Sequence, residues 1–258
     1  MSEANRVRAM FTDDLRAIVH RALRPPVPLF RYRPVPARRA VHGDVLLLTF
    51  GEGADDFREV IVLGPASPER VFGLAADFYG EGARYGVVVD VETAGPMEEA
   101  LRAGGWRLDA EEPALVLSPL PAAVPPAPPG LDIRLVTDDT GLADFRTVSG
   151  TSVTWVPSLA AATDPGVGLF VGYAEGKPVA TSRFTVQDGV ADINGVVTLP
   201  EARRRGYGTA LTWACVAEGR GRGCDAADLT ATEMGYPVYI KMGFVPVCTF
   251  RTYLPPAS

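Results

Sequence analysis

A proline-dense segment at residues 118–130, SPLPAAVPPAPPG, divides this 258-residue chain into two parts of similar length. Six of its thirteen residues are proline, which lacks the amide hydrogen that helices and inner strands need. Such a run favours an extended polyproline conformation and forms a semi-rigid linker. We therefore predict two domains, at residues 1–117 and 131–258, which is also the organisation expected for a chain of this length.

Each half alternates strand-like and helix-like segments. The first half has apolar, β-branched runs of strand length, in DVLLLTF, EVIVLG, YGVVVDVE and PALVLS, and helix-like stretches in DDLRAIVHRAL, SPERVFGLAADFY and PMEEALRAGG. The second half has strands in LDIRLVT, VGLFVGYAEGKPVATSRFTVQDGVADINGVVTL, AADLTAT and VCTFRTYL, and helices in DDTGLADFRTVSG, in the stretch after three arginines, and in YPVYIKMG. These patterns predict an α+β fold with a mixed sheet flanked by helices.

The order of segments is shared between the halves, which favours an internal repeat of one fold. Two unrelated α+β units with the same strand-helix-strand-helix-strand order are the alternative, and the sequence leaves both open.

Composition and charge exclude several classes of function. Hydrophobic residues make up 47% of the chain, which is typical of a globular protein. The formal net charge is −6, so no broad basic surface is available for nucleic acid, and any anion site must be local. No apolar run of signal-peptide or membrane-span type is present, and we expect a cytoplasmic protein that does not associate with membranes.

Cysteine and histidine usage limits the chemistry further. The three cysteines are odd in number and lack C-x-x-C spacing, so neither a disulfide framework nor a metal site is predicted. The two histidines, His20 and His42, both lie in the first half. The second half therefore cannot contain a Ser-His or Cys-His dyad of its own.

The segment LPEARRRGYGTALT places three arginines and a Gly-Tyr-Gly between a strand and a helix. The first turn of a helix leaves backbone amides without intrahelical partners, and the helix dipole adds to their attraction for anions. Gly206 and Gly208 would let phosphates approach the backbone, and Arg203, Arg204 and Arg205 would supply positive charge. The pattern is neither the G-x-G-x-x-G of dinucleotide sites nor a Walker A loop, because Leu211 occupies the third glycine position and no Gly-Lys-Ser/Thr follows.

These residues, together with PVYIKMGF some thirty positions later, closely resemble the GNAT superfamily of N-acyltransferases over residues 131–255. The resemblance implies two tandem GNAT-like domains, the first of them degenerate, and acetyl-CoA as the co-substrate without a metal. It also implies a bulged strand before the turn that separates from its parallel neighbour and pairs with the pantetheine arm. Carried over, the backbone of Val197, Thr198 and Leu199 would hold that arm, and Arg203, Arg204, Arg205, Gly206, Tyr207, Gly208 and Thr209 would hold the pyrophosphate.

The expected reaction is direct transfer of an acetyl group to a primary amine of a small molecule or peptide, which needs a neutral amine and a proton for the departing thiolate. The resemblance implies Tyr239 as the general acid, with Tyr236 as the fallback. Asp192 and Glu233 are the candidate bases, and Asn194 shares a strand face with Asp192 and would orient a water molecule. The sequence TATEMGYP lacks the asparagine that often contacts the cofactor in this family, and Thr232 or the backbone near Met234 is the expected substitute.

Trp155 falls in the region that covers the acceptor in GNAT folds; it is the candidate substrate-binding residue there, although an ordinary core tryptophan is the favoured interpretation. In the first half, Ser67, Pro68 and Glu69 replace the arginines, so no pyrophosphate site is expected there. Two other functions stay open: a non-catalytic acyl-CoA-binding sensor and a nucleotide-binding module. The acceptor is not identified, and a homodimer stays open.

Overall fold

The computed structural model describes residues 3–23, 37–50, 57–150 and 158–256. The helices of these segments are α1 (Glu3–Leu23), α2 (Pro68–Tyr79), α3 (Gly95–Ala103), α4 (Asp139–Ser149), α5 (Leu159–Ala162), α6 (Tyr207–Gly221) and α7 (Tyr236–Met242). The strands are β1 (Arg38–His42), β2 (Val45–Phe50), β3 (Phe57–Val62), β4 (Gly86–Asp90), β5 (Arg107–Leu117), β6 (Leu131–Leu135), β7 (Val167–Ala174), β8 (Lys177–Gln187), β9 (Val190–Thr198), β10 (Ala226–Thr230) and β11 (Val245–Leu254).

All eleven of these strands belong to one mixed sheet, in the order β1-β2-β3-β4-β11-β5-β10-β9-β8-β7-β6. The predicted α+β class, with a sheet flanked by helices, is confirmed. The sequence did not predict that the two halves share the sheet by exchanging strands. The last strand of the first half, β5, lies between β10 and β11, while the last strand of the second half, β11, lies between β4 and β5.

The exchanged strands β5 and β11 pair with each other in antiparallel register along almost their whole lengths, from Val245 opposite Val116 to Leu254 opposite Arg107. Each half therefore depends on the other for backbone hydrogen bonds at the centre of its sheet. An unpaired inner strand would leave a row of polar backbone groups exposed, so the exchange joins the halves into one folding unit.

Helices cover both faces of the sheet. On one face α6 packs against Ala191 and Ile193 of β9, and α2 and α3 pack against the apolar residues of β2, β3 and β4. On the other face α1 contributes Leu15 and Val19 to a core with β5 and β11, and α4 packs against β7. The alternation of side chains along each strand supplies both cores.

The proline-dense segment 118–130 forms neither helix nor strand and runs alongside α6. The Leu120 amide donates to the Asp225 carbonyl at 3.1 Å, and the Arg220 guanidinium donates to the Ala122 carbonyl at 2.9 Å, near the end of α6. At the other end, Pro128 Cγ lies 3.5 Å from the position that a Cβ on Gly206 would take. The segment therefore reaches from the last turn of α6 to the residues that precede its first turn.

Candidate active site

The parallel strands β9 and β10 separate from each other. They are in register at three positions, where Val190–Asp192 lies opposite Ala226–Asp228. Beyond Asp192 and Asp228, β9 continues to Thr198 and β10 to Thr230 without further pairing between them. Backbone groups on the facing edges of the two strands are thus available to an extended ligand, in the way that a strand edge accepts an added strand.

A β-bulge on β9 decides which of its backbone groups face this opening. The register with β8 shifts between Thr181 and Arg183, which lie opposite Val197 and Asn194, so β9 has one extra residue at this point. Gly195, within the bulge, has φ 60°. The bulge and the separation are the features that the GNAT resemblance implied.

The Leu199 amide donates to the Val179 carbonyl of the β8 segment at 2.9 Å. This amide is therefore turned away from the opening and is not available to a ligand. Because amides alternate in direction along a strand, those of Val196 and Thr198 face the opening instead. This corrects the prediction that Val197 and Leu199 supply the backbone contacts, and it retains Thr198.

The arginine-glycine turn exposes a row of backbone amides. A 3₁₀ turn at Pro200–Ala202 follows β9, and Arg204 (φ 64°) and Gly206 (φ 79°) adopt left-handed conformations before α6 begins. The amides of residues 204–209 have no hydrogen-bond acceptor within the described part of the chain. Successive free amides at a helix start form a concave anion-binding site, whose attraction is increased by the helix dipole.

The three arginines differ in their surroundings. The Arg203 Nε donates to the Thr198 carbonyl at 3.1 Å, so its side chain holds the end of β9 to the turn. Arg204 and Arg205 are exposed at the anion-binding turn. The Tyr207 side chain is buried in the core around α6, so its contribution to an anion site is limited to its amide. Thr209 lies half-buried in the first turn of α6.

Gly208 brings the start of α6 close to β9. A Cβ on this residue would lie 3.6 Å from Thr198 Oγ1 and 3.7 Å from Val196 Cγ1. Both contacts are ordinary van der Waals distances, so a side chain would be tolerated by the protein itself. It would nevertheless occupy the space between the helix start and the two β9 residues whose amides face the opening.

Tyr239 on α7 packs against the α6 side of the sheet. Its ring makes an edge contact with Phe244, with centroids 5.9 Å apart, and the side chain is half-buried. Burial raises the pKa of Tyr239 above that of a free phenol, and the neighbouring Thr212 hydroxyl partly offsets this effect. The phenol therefore keeps its proton at neutral pH, as a general acid must.

Asp192 faces the opposite side of the sheet and accepts two hydrogen bonds. The Asn194 Nδ2 donates to its Oδ1 at 2.7 Å, and the Thr185 hydroxyl donates to its Oδ2 at 3.3 Å. Burial raises the pKa of Asp192, while both hydrogen bonds and the Arg183 charge act in the other direction. Asn194 was expected to orient a water molecule, and in the structure it holds the candidate base.

Asp228 lies directly opposite Asp192 on β10 and was missed by the sequence analysis. Its residue surface is only 5% exposed, and its Oδ1 has no hydrogen-bond partner among the described residues. Burial and the Asp192 charge raise the pKa of Asp228 well above the usual range of a carboxyl. The alternation of AADLT would have shown its buried face, but the strand register that brings two carboxyls together has no signal in the sequence.

The other predicted residues lie nearby or outside the described segments. The Thr232 hydroxyl accepts the Gly235 amide at 3.3 Å and so stabilises the turn before α7. Glu233 is exposed in the same turn. Trp155 lies outside the described residues. Among the described residues, no cluster of three or more His, Cys, Asp or Glu is arranged to hold a metal ion.

The corresponding part of the first half has no such opening. The pairing of β3 with β4 continues to the last residue of β3, where Val62 lies opposite Val89. The Thr93 hydroxyl then donates to the Leu63 carbonyl at 2.8 Å. The Ser67 hydroxyl accepts the Arg70 amide at 3.3 Å, so one of the amides at the start of α2 is bonded within the protein.

None of the helices in the described segments has the length and apolar character that crossing a membrane requires.

Comparisons with known proteins agree with this geometry. Residues 142–244 match the model of the acetyltransferase (GNAT) family. No curated protein sequence matches the chain at a significant level.

Among solved structures, a GCN5-related N-acetyltransferase from Kribbella flavida is similar over 95% of this chain and 96% of its own, with 22% identity and a TM-score of 0.72. A tandem GNAT protein from the clavulanic acid biosynthesis pathway covers 100% of this chain and 97% of its own, with 16% identity and a TM-score of 0.60. A GCN5-related N-acetyltransferase-like protein from Streptococcus suis covers 94% and 98%, with 13% identity and a TM-score of 0.53. Residues 142–244 are therefore similar to the acetyltransferase (GNAT) family, and the chain as a whole shares the fold of solved GCN5-related N-acetyltransferases, including that of a tandem GNAT protein.

Proposed function

We propose that the protein transfers an acetyl group from acetyl-CoA to a primary amine of a small molecule or peptide. The observation that carries the proposal is the opening between β9 and β10, which leads directly to the row of free amides at residues 204–209. An extended arm that ends in a diphosphate fits both features, because the strand edge offers backbone groups and the turn offers an anion site.

The residues that would hold acetyl-CoA follow from this geometry. The amides of Val196 and Thr198 would bond the pantetheine arm, and the amides of residues 204–209 would bond the diphosphate. Arg204 and Arg205 would add charge-assisted hydrogen bonds from the exposed side of the turn. When bound there, acetyl-CoA supplies an activated acyl group as a thioester.

Two side chains on opposite sides of the sheet would move the protons. Asp192, held by Asn194, would accept a proton from the acceptor ammonium, directly or through one water molecule, and so produce a neutral amine for attack. Tyr239 would donate its proton to the sulfur that leaves. Asp192 is favoured over Glu233 as the base because it is held by two hydrogen bonds beside the opening, whereas Glu233 is exposed in a turn.

We also propose that residues 1–117 form a degenerate GNAT-like domain without a cofactor site, joined by residues 118–130 to the acetyltransferase domain at 131–258. The continuous β3–β4 pairing and the Thr93–Leu63 hydrogen bond support this proposal. The exchange of β5 and β11 gives the first domain a structural role, because it supplies a central strand to the sheet that holds the active site.

Calorimetric titration with acetyl-CoA, followed by a panel of amines monitored for free thiol, tests the function. We expect acetyl-CoA binding in the wild type and in Tyr239→Phe, together with a decrease of about 10²-fold in turnover for the variant. Acetyl-CoA binding without thiol release from any amine would favour the sensor. Absence of binding would overturn the proposal.

A further inference from the structure

We propose that Asp192 and Asp228 form a carboxyl pair that holds one proton at the point where β9 and β10 separate, with Asp228 as a positioning residue for the base Asp192. This inference rests on the proposed function for its catalytic consequence. The pair itself is a property of the protein without acetyl-CoA and is tested separately.

The strand register places the two carboxyls side by side. Asp192 and Asp228 are the last residues at which β9 and β10 are paired, and their side chains emerge on the same face of the sheet. Adjacent strands lie about 4.8 Å apart, so the two side chains start within reach of each other. Two carboxylates at this separation, with little contact to water, are strongly disfavoured unless one of them keeps a proton.

Packing excludes solvent from one side of the pair. Val190 and Ala226 are the preceding residues on the same face, and they pack against Ile18 and Ala22 of α1. The carboxyl pair is thus the first polar position beyond this apolar contact, on the side where the strands open. The pair is therefore shielded from water on the α1 side.

Hydrogen bonding decides which carboxyl is ionised. Asp192 accepts from Asn194 and from Thr185, and the Thr185 hydroxyl oxygen in turn accepts from the Gln187 side chain at 3.2 Å. This set of donors stabilises the negative charge on Asp192. Within the described segments Asp228 Oδ1 has no hydrogen-bond partner, which destabilises a buried carboxylate much more than a neutral carboxylic acid. Asp228 therefore carries the proton.

Other charged or titratable groups near the pair lie on several elements. Arg183 of β8 faces Asp192, and its charge favours the ionised form of that carboxyl. Cys248 of β11 lies close enough to Asp228 for the two to interact, and its thiol is kept protonated because burial raises the pKa of Cys248. Arg21 of α1 is paired with Asp225, and His20 is bonded to Asp90 at 2.8 Å. Neither of these α1 side chains is bonded to Asp192 or Asp228.

The catalytic consequence is that Asp192 works beside a neutral partner. A protonated Asp228 adds no second negative charge, so Asp192 can ionise and accept a proton within the neutral pH range. Asparagine is neutral and has nearly the same size, so it should replace the protonated acid. Leucine offers no polar group and should raise the pKa of Asp192 further.

The pair is tested first by infrared spectroscopy of the protein labelled with ¹³C-aspartate, without acetyl-CoA. We expect a protonated-carboxyl band at pH 7 in the wild type and in Asp225→Asn, a control in which an exposed carboxylate just before β10 is removed. The band should be lost in Asp228→Asn. A wild type without the band at pH 7, or an Asp228→Asn variant that keeps it, would overturn the pair whatever the activity.

The positioning role is tested by the pH dependence of kcat/KM. Asp228→Asn should keep the acidic limb of the wild-type profile, whereas Asp228→Leu should move it upward by about one pH unit, a tenfold loss below the limb. Acetyl-CoA affinity should stay unchanged in both variants. An acidic limb that moves equally in both variants would refute the positioning role of Asp228. Failure of acetyl-CoA binding in the wild type would instead refute only the proposed function.

Discussion

The Tyr253 hydroxyl donates a 2.6 Å hydrogen bond to Glu98, which lies 155 residues earlier in the chain. This contact joins β11, the last strand in chain order, to α3. Arg251 and Arg102 each donate to the same carboxylate oxygen at 2.6 Å. Glu98 is only 8% exposed, so its charge depends on these three donors. The network ties the exchanged strand β11 to the first half of the chain.

Replacing Glu98 should destabilise the protein at neutral pH. Glu98→Ala leaves the buried Tyr253 hydroxyl without its acceptor and removes a partner from Arg251, so we expect a loss of about 3 kcal/mol in the free energy of unfolding. Glu111→Ala is the matched control, because Glu111 is a more exposed partner of the same Arg251 at 2.5 Å. Urea denaturation should show a loss of about 1 kcal/mol or less for the control.

The same carboxylate predicts an acid dependence of stability. Burial alone would raise the pKa of Glu98, but the hydrogen bonds and charges of its partners outweigh this and lower it. A lowered folded-state pKa stabilises the protein above the unfolded pKa of about 4.3, and this contribution disappears as the pH falls through the folded-state value. Below about pH 4.3, wild-type stability should therefore fall more steeply than that of Glu98→Gln. Parallel curves would contradict the assignment.

The exchange of β5 and β11 predicts one cooperative unfolding transition for the whole chain. Trp106 lies in the first half, stacked on Phe72, and Trp213 lies on α6 in the second. Variants in which Trp106 or Trp213 is the sole tryptophan, with Trp155 also replaced, should report the same urea midpoint by fluorescence, because neither half keeps its central strands alone. Calorimetry should likewise show a single peak. Two separate midpoints would mean that the halves unfold independently despite the shared sheet.

Gly208→Ala should weaken acetyl-CoA binding without weakening the fold. The added methyl group meets Thr198 and Val196 at ordinary distances, so stability should stay the same or rise with the better helix propensity of alanine. The methyl would fill space beside the amides proposed to hold the pantetheine arm, and we expect at least a tenfold increase in Kd. Gly221→Ala, at the other end of α6, is the control and should bind normally, because no described atom beyond the local helix backbone lies within 4 Å of its new Cβ.

Tyr239 should control the alkaline side of the pH profile. Because burial raises the pKa of Tyr239 above that of a free phenol, the phenol stays protonated through neutral and mildly alkaline pH. Deprotonation of Tyr239 should therefore lower kcat only above about pH 10, the ordinary pKa of a phenol. Tyr239→Phe should lack this alkaline decrease and show low turnover at every pH. Tyr236→Phe, on the same helix, should retain it. A variant profile that still declines above pH 10 would assign the proton donor to another group.

The arginine-glycine turn and α7 could be predicted from sequence because each depends on local properties. Glycine spacing, a strand-to-helix transition and a helical apolar pattern lie within short windows, and the structure has α6 and α7 at these segments. The backbone contacts were wrongly assigned to Val197 and Leu199, because the register with β8, shifted by one residue at the Gly195 bulge, decides which amides face the opening. No composition or spacing shows on which residue a bulge falls.

Long-range relations were missed for a different reason. The first part of β5, RLDAEE, has four charged residues among six and was not predicted as a strand, and it becomes one because β11 pairs alongside it. The Asp192–Asp228 pair and the strand exchange depend likewise on register between segments that are distant in sequence. Such pairings are determined by the assembled sheet and leave no periodic signal in either segment.

The position of β11 has a consequence for synthesis on the ribosome. Val245–Leu254 inserts into the middle of the sheet, between strands that emerge from the exit tunnel more than a hundred residues earlier. Until this segment is released, the edges of β4 and β5 that pair with β11 have no partner strand. Such unpaired edges can pair with the wrong strand, and chaperones would have to cover them. A premature stop codon just before Val245 would thus damage the amino-terminal half as severely as the domain in which it occurs.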